Sequence, residues 1–584
     1  MSAYATCFVV AAGPWYSNSL ALMAVTVVWL IGAYYLYGRR LERRVVQPTD
    51  EPTPAHSKTD GVDFYPAKPV VLFGHHFASI AGAGPILGPV LAVAFFGWGA
   101  TALWILLGVV LIGAAHDYMA LMISVRNGGS SLPDVAEKAI SPSARVLFLI
   151  FVWIGLVLVI TAFCNAAAGT FMKAPEIVLP TFSLMLIAVL FGFLTYRVKL
   201  NTAVSTAIAL ALLAFVIWLG FRVPVRLENL GVPADYVKHV WLGALIVYGV
   251  IASVLPVWVL LQPRDYIATW ILIVGMTLGI VGVALVHPTM HAPAFTAPMT
   301  AKGPVWPMLF IIVACGAVSG FHCLVAGGTT SKQLGSERQG LLIGYGSMLV
   351  EGALAILALI AVGAGMYFTA EQAEAGEGGA ALHAFLDKGG GGPIAAFGRG
   401  FQVLTEPLLS PVATWLGVVG LGMIVGMTMV NAFVMTTLDT AVRLARFITS
   451  ELVGRRVPLF RNRLVASLAA AVPAYLLALM PGAFKSIWPM FGAANQLIGA
   501  LALLVISAYL LRRGKPTVYT LLPAIFMLVT TVAALLWQAY THLITAEEHN
   551  YTLGVTAIVL LVLALVLVVQ ALGVRRGGQA PAQV

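Results

Sequence analysis

Apolar positions along this chain do not alternate with polar ones; they continue in long runs. Hydropathy separates about fifteen runs, near residues 18–38, 70–97, 99–124, 146–168, 175–195, 202–220, 240–261, 266–287, 305–328, 341–368, 411–447, 464–481, 484–511, 517–540 and 553–573. About 20 apolar residues in a helix cross a hydrocarbon core of about 30 Å. Lipid offers no partner for backbone N–H and C=O groups, so continuous runs predict helices. A transmembrane β-barrel would alternate over about ten residues instead. The predicted fold is an all-α polytopic membrane protein. The 37-residue run 411–447 is too long for one plain span and reads as a broken span or a span with a re-entrant piece.

Composition agrees. Of 584 residues, 60% are hydrophobic and 10% charged, with a mean hydropathy of +0.95. A soluble protein carries roughly a quarter charged residues. Lys plus Arg outnumber Asp plus Glu, 33 to 23, a formal charge of +10. The basic residues cluster in short loops at 39–44, 197–199, 331–339, 454–463, 512–515 and 575–576, all on one side of the threading. That side is expected to be cytoplasmic, which puts the N-terminus outside and the C-terminus inside, and makes lipid rather than nucleic acid the partner of this charge. Residues 221–239 are the exception, with Arg222, Arg226 and Lys238 on the outer side. Four cysteines in apolar surroundings do not make a disulfide scaffold.

Several runs contain residues that suit a helix interior poorly. "VLFGHHFASIAGAGPILGPV" (71–90) carries Gly82, Ala83, Gly84, Pro85, Gly88 and Pro89 after two adjacent histidines. Proline removes a helical hydrogen bond and frees carbonyls of the preceding turn. Broken helices line substrate and ion sites in many carriers, while small residues also serve close helix packing. A second interruption is read in 251–266, with Pro256 mid-span and Trp258 beside it. It lies five spans later and enters from the opposite side, which suggests an inverted repeat. The halves would be 70–220 and 221–447, the latter including the Gly-rich outer loop 369–410. Residues 1–69 form a peripheral helix and cytoplasmic linker, and 448–584 form peripheral helices. A third stretch, 314–333, gathers Ser319, Phe321, His322, Thr329 and Thr330. Its hydroxyls either help to hold an ion or bond to their own helix.

Intramembrane charge costs about 2.5–3.5 kcal/mol per residue at mid-helix, so retained ionisable groups mark function. His75, His76, His116, Asp117 and His322 fall at one depth of the threading. They suit a proton relay, a zinc site, or individual bonds to nearby carbonyls. Glu351 is a further buried acid. Asn495 and Gln496 zip helices together or line a polar path. Asp439 and Arg443, four apart, read as a helical ion pair, and Arg264–Asp265 as a local pair with Asp265 capping a helix start.

"VLFGHHFASIAGAGPILGPVLA", "LPVWVLLQPRDY", "ACGAVSGFHCLVAGGTTSKQL", "LIGYGSMLVEG", "TTLDTAVRLARF" and "WPMFGAANQLIGA" occur in this order, and over residues 60–510 the chain resembles the carbon starvation protein A family. The resemblance implies a bacterial inner-membrane carrier with a five-plus-five inverted-repeat core like that of the amino acid–polyamine–organocation superfamily, plus extra peripheral helices. It implies uptake of peptides or of pyruvate with protons when carbon is scarce. Both cargoes carry a carboxylate, which a half-helix N-terminus around Gly82–Gly88 or Pro256–Trp258 would attract, with Trp258 and Phe321 as walls. A peptide also needs an acid for its amino terminus, and Glu351 and Asp117 are candidates.

The expected function is therefore a secondary transporter without a resident cofactor, coupled to protons or alternatively to sodium. A small accessory protein is a further expected partner. An intramembrane metal enzyme and a nutrient-sensing channel or receptor are the competing classes. H-E-x-x-H, G-x-S-x-G and G-x-x-x-x-G-K-[ST] are absent from the sequence, which argues against the enzyme and against ATP-driven pumping.

Overall fold

The structure, a computed structural model, describes residues 17–60, 64–256, 260–366, 382, 386, 392–454, 456–545 and 549–574. Among these residues twelve helices are long and apolar enough to cross a membrane, thirteen if one bent pair counts as a span. In chain order they begin with α1 (Ser19–Val46), the bent pair α2 (Pro69–Ile80) and α3 (Gly84–Phe96), α4 (Trp98–Arg126), α5 (Pro142–Lys173), α6 (Pro175–Thr195) and α7 (Thr202–Arg222). Then come α8 (Ala234–Val254) and α9 (Leu261–Val286). Residues 305–328 follow as two short helices, α10 (Val305–Ile312) and α11 (Gly320–Gly328), with a single turn at Ala314–Ala317 between them. The chain continues with α12 (Glu337–Gly365), α13 (Gly392–Leu416), α14 (Leu421–Leu452), α15 (Arg463–Ala478), α16 (Ala483–Arg512), α17 (Val518–Thr545) and α18 (Tyr551–Gly573).

Two expectations about span limits change. Residues 251–266 are not a broken span: α8 ends at Val254, exposed Pro256 lies in the connection, and Pro263 sits in the first turn of α9, where a missing N–H costs nothing. The second interrupted segment is 305–328 instead. The run 411–447 divides at Gly417 and Gly420, both with positive φ, into the end of α13 and one unbroken 32-residue helix, α14. The count of about fifteen also included 305–328 and 464–481, which are here a chain of short helices and a 16-residue helix.

Burial separates centre from periphery. The most apolar stretches of α12 and α14 are each 89% buried, those of α1 and α7 only 28%. Exposed Leu36, Leu186 and Val569 would be costly in water and are at home in lipid. Helices α5, α8, α14 and α15 pack on one another, and α2–α3, α4, α10–α11 and α12 form a second group against them. Helix α9 joins the groups through α2 and α14, and α16 joins them through α5 and α11. The basic loops meet on one face, where Arg126 pairs with Glu337 at 2.8 Å and Lys515 donates to the Val45 carbonyl at 2.7 Å. The opposite face is tied by backbone bonds from Ser19 to Pro288 and from Ala292 to Gly363.

Candidate functional site

The two interruptions face each other. Helix α2 stops at Ile80, three residues intervene, and α3 departs at 43°. Gly84 at the start of α3 lies against the Cys315 side chain, and a Cβ on Gly88 would come within 2.7 Å of the Ile312 carbonyl oxygen. Side chains at either position would force the segments apart, which is why small residues stand there. On the other segment the backbone is extended at Val318 and Ser319 before α11 begins. Asn495 of α16 bridges this second break. Its Oδ1 accepts the Phe321 N–H at 2.9 Å and its Nδ2 donates to Cys315 Sγ at 3.1 Å, while its amide and the Ser319 hydroxyl bond at 3.1–3.2 Å.

Between the breaks lies a void of about 10 Å³ lined by Ile80, Gly82, Gly84, Pro85, Val159, Phe163, Cys315, Ser319, Phe321, Thr437 and Phe491. This is at the lower bound for one water, so the site is closed in this conformation. In the first turn of α3, Pro85 has no N–H and the Ile86 and Leu87 N–H groups bond to the Ala83 carbonyl at 3.1 and 2.9 Å, so what α3 turns toward the void is the positive end of its dipole. Thr437 Oγ1, buried beside Gly82, has no hydrogen-bond partner among the described residues.

Next to the void runs a chain of titratable groups. Asp117 Oδ1 lies 2.8 Å from His116 Nδ1, and its Oδ2 lies 2.8 Å from His322 Nδ1. His322 Nε2 then faces Glu351 Oε2 at 3.5 Å. All four side chains are 0–1% exposed. A carboxylate only accepts, so ionised Asp117 places a proton on both Nδ1 atoms and leaves a bare Nε2 on each neutral ring. His322 Nε2 and ionised Glu351 would then be two acceptors face to face. One proton held between them, directly or through a water, turns that repulsion into a charge-assisted bond.

The adjacent histidines of α2 part company. Successive helical residues point about 100° apart. His76 Nδ1 meets Thr330 Oγ1 at 2.8 Å, whereas His75 Nδ1 meets Asp265 Oδ2 at 3.1 Å. Asp265 also accepts from Arg264 at 2.7 Å, and Arg264, fully buried, pairs with Asp439 and donates to Tyr248 Oη at 3.0 Å. Tyr248 in turn donates to Asp439 at 2.7 Å. This network joins α2 to α8, α9 and α14.

The sequence profile of the family described as "Carbon starvation protein CstA" matches residues 18–534. This chain belongs to that family. Among relatives, "Pyruvate/proton symporter BtsT" of Escherichia coli (strain K12) is 32% identical over 595 residues, 89% of this chain and 81% of that one. "Peptide transporter CstA" of the same strain is 33% identical over 583 residues, 88% of this chain and 80% of that one. Among solved structures, MhsT in complex with L-phenylalanine aligns over 87% of this chain and 99% of its own, at 14% identity and a TM-score of 0.47, too distant to carry an argument.

In this member of the CstA family, five of the residues read as substrate-binding, Gly82, Gly84, Pro85, Ser319 and Phe321, come together around one void. Pro256 does not join them, and Trp258 lies outside the described residues. Ala83 caps the start of α3 without lining the void, and Glu351 sits against His322 rather than in its wall. Thr329 bonds back to Val325 of its own helix at 3.0 Å, as a helical threonine does. Among the described residues no group of three or more His, Cys, Asp or Glu is placed to hold a metal ion. Asp117 takes His116 and His322, Asp265 takes His75, and Thr330 takes His76. Asp439 does not pair with Arg443: Arg264 takes Asp439, and Arg443 donates to the Ala252 and Leu255 carbonyls at the end of α8. Asp265 is no helix cap either, since His75 and Arg264 occupy its side chain. Sequence reasoning missed Thr437, Phe163, Cys315 and Phe491. Thr437 stands in the quoted "TTLDTAVRLARF" run, two residues before the acid that drew attention.

Proposed function

We propose that this chain is a secondary active transporter of the bacterial inner membrane that imports a small carboxylate-bearing nutrient together with a proton. The observation that carries the reading is the pair of facing helix breaks around a closed void, with a buried His–carboxylate chain alongside. The substrate carboxylate docks against the start of α3, where the helix dipole favours an anion. The coupling proton sits between His322 and Glu351 and is released when the helices rearrange. The void's described lining contains no carboxylate, so a zwitterionic peptide would find no counter-charge for its amino group there. That favours pyruvate or a similar keto or hydroxy acid over peptides, in line with the name of one relative and against that of the other. The inverted repeats in this reading begin at α2 and at α10, the N-terminus is outside and the C-terminus is cytoplasmic.

Proteoliposomes test it. Labelled pyruvate should accumulate when an inward proton gradient is imposed, more than a dipeptide does, and a sodium gradient should not replace it. Uptake indifferent to both gradients sinks the coupled mechanism, and preferential dipeptide uptake sinks the substrate assignment.

A further inference from the structure

Three polar side chains stand in the described lining of the central void: Cys315, Ser319 and Thr437. Asn495 occupies the first two, donating to Cys315 Sγ at 3.1 Å and bonding the Ser319 hydroxyl at 3.1–3.2 Å. Thr437 is different. It is 3% exposed, and its Oγ1 has no hydrogen-bond partner among the described residues. A helical threonine can bond back to the carbonyl four residues earlier, as Thr436 does to Ala432 and Thr449 to Ala445 on the same helix, both at 2.7 Å. Thr437 forgoes that bond and turns its hydroxyl to Gly82, where any Cβ would collide with Oγ1. A buried hydroxyl left unpaired is destabilising, and valine would fill the same space without that cost. Packing alone therefore does not account for a threonine here.

The position of the hydroxyl says what it would meet. Gly82 lies between the end of α2 at Ile80 and the start of α3 at Gly84, so Oγ1 and the positive end of the α3 dipole reach the void from neighbouring points of one break. Most of the remaining lining is apolar, with Ile80, Val159, Phe163, Phe321 and Phe491 as its bulk. A solute with its carboxylate at the start of α3 would carry its next carbon past Thr437 and its tail among the aromatic rings. An oxygen on that next carbon would pair with Oγ1, whereas a methylene there would leave the hydroxyl bare. The Thr437 O–H can donate to a keto oxygen, and can donate to or accept from a hydroxyl. A site built to bond a polar group of its substrate rejects the analogue that lacks it.

We propose that Thr437 is a specificity-determining residue: its hydroxyl bonds the oxygen on the carbon next to the solute carboxylate, and so selects 2-oxo and 2-hydroxy acids over plain carboxylic acids of the same length. The inference rests on the transport reading for the place of the carboxylate at α3. The bond forms once the two breaks have moved apart, since the closed void has room for no such solute.

Equilibrium dialysis of labelled pyruvate with the full-length protein in lipid nanodiscs tests it, with unlabelled pyruvate, lactate and propionate as displacers. These acids share one chain length, and propionate lacks the oxygen at C2. The parent protein should bind pyruvate and lactate more tightly than propionate. Thr437→Val, which keeps the shape, should cut that preference by roughly three- to tenfold, the span of one neutral hydrogen bond, with little change in the Kd of propionate. Thr437→Ser, which keeps the hydroxyl, should retain the preference, and both variants should melt as the parent does. In proteoliposomes Thr437→Val should raise the KM for pyruvate with little change in maximal rate. An unchanged preference in Thr437→Val overturns the inference, as does an equal weakening of all the acids. Pyruvate binding that follows sodium concentration in the parent, and loses that dependence in Thr437→Val, also overturns it, because the hydroxyl then holds a cation. A parent that prefers pyruvate to propionate but does not accumulate it under a gradient keeps the inference and overturns the transport reading. One that accumulates pyruvate and propionate alike keeps the transport reading and overturns the inference, and one that binds none of the acids sinks both.

Discussion

Asn495 accepts the backbone N–H of Phe321 at 2.9 Å, and through that bond α16 holds the second broken helix in place. The same side chain bonds Ser319 and Cys315, so one residue satisfies groups on both sides of the break. Asn495→Ala leaves a buried N–H and a buried hydroxyl without partners, a loss of about 1–3 kcal/mol for each such group. A lower Tm in detergent and impaired uptake are expected. Its neighbour is the control: neither polar atom of the buried Gln496 side chain has a partner among the described residues. Gln496→Met should leave the Tm unchanged or raise it, and a fall as large as that of Asn495→Ala would refute the contrast.

Close approach at the first break can be tested by compensation. Any Cβ at position 84 meets the Cys315 side chain. Gly84→Ala should abolish uptake, and adding Cys315→Gly should bring back a measurable part of it. Failure of the double variant, with normal expression and melting, would mean that the glycine is needed for something other than space.

Arg264 is a buried cation shared by two buried carboxylates, Asp265 and Asp439. Removing one partner of a buried pair costs about 3–5 kcal/mol, because the other charge is left in a poor solvent. Arg264→Met should destabilise strongly. Arg264→Met combined with Asp439→Leu should recover part of the loss, since an apolar replacement of a buried pair is often neutral, while Asp265 loses its arginine and keeps His75 as a partner. Thermal melting of the single and double variants decides between a structural pair and one whose charge is needed for transport.

Glu351→Gln keeps the shape of the side chain but cannot bind and release a proton. In the proposed mechanism this variant still exchanges internal for external pyruvate, while proton-driven accumulation disappears. His322→Gln should behave alike, because both hold the same proton. An intact proton-driven accumulation in Glu351→Gln would exclude this acid from coupling. A selective loss of dipeptide uptake would instead make it the partner of a peptide amino group.

Much of the architecture was legible because its causes are local. A run of apolar residues determines its own solvent, and "GAGPILGP" interrupts a helix wherever it is placed, since proline lacks the N–H and glycine favours no one conformation. The break between Ile80 and Gly84 and the burial of His76, Asp117, His322 and Glu351 follow from such features. Proline was a poorer guide at 256 and 263, where the same chemistry marks the end of one helix and the start of the next. Telling a broken span from a connection needs the direction of the following helix, which no single residue carries.

The sequence by itself determined that the chain lives in lipid, that the helix carrying "GAGPILGP" is interrupted and which polar groups it keeps inside. Only the tertiary structure decided that the first break faces 313–320, that His322 rather than His75 joins Asp117, and that Asp439 answers Arg264 instead of its near neighbour Arg443. The reason is physical: in a bilayer the apolar faces of helices are interchangeable with lipid. Partners are then selected by small residues and buried polar groups that meet across hundreds of residues, a matching that exists only once the helices are packed.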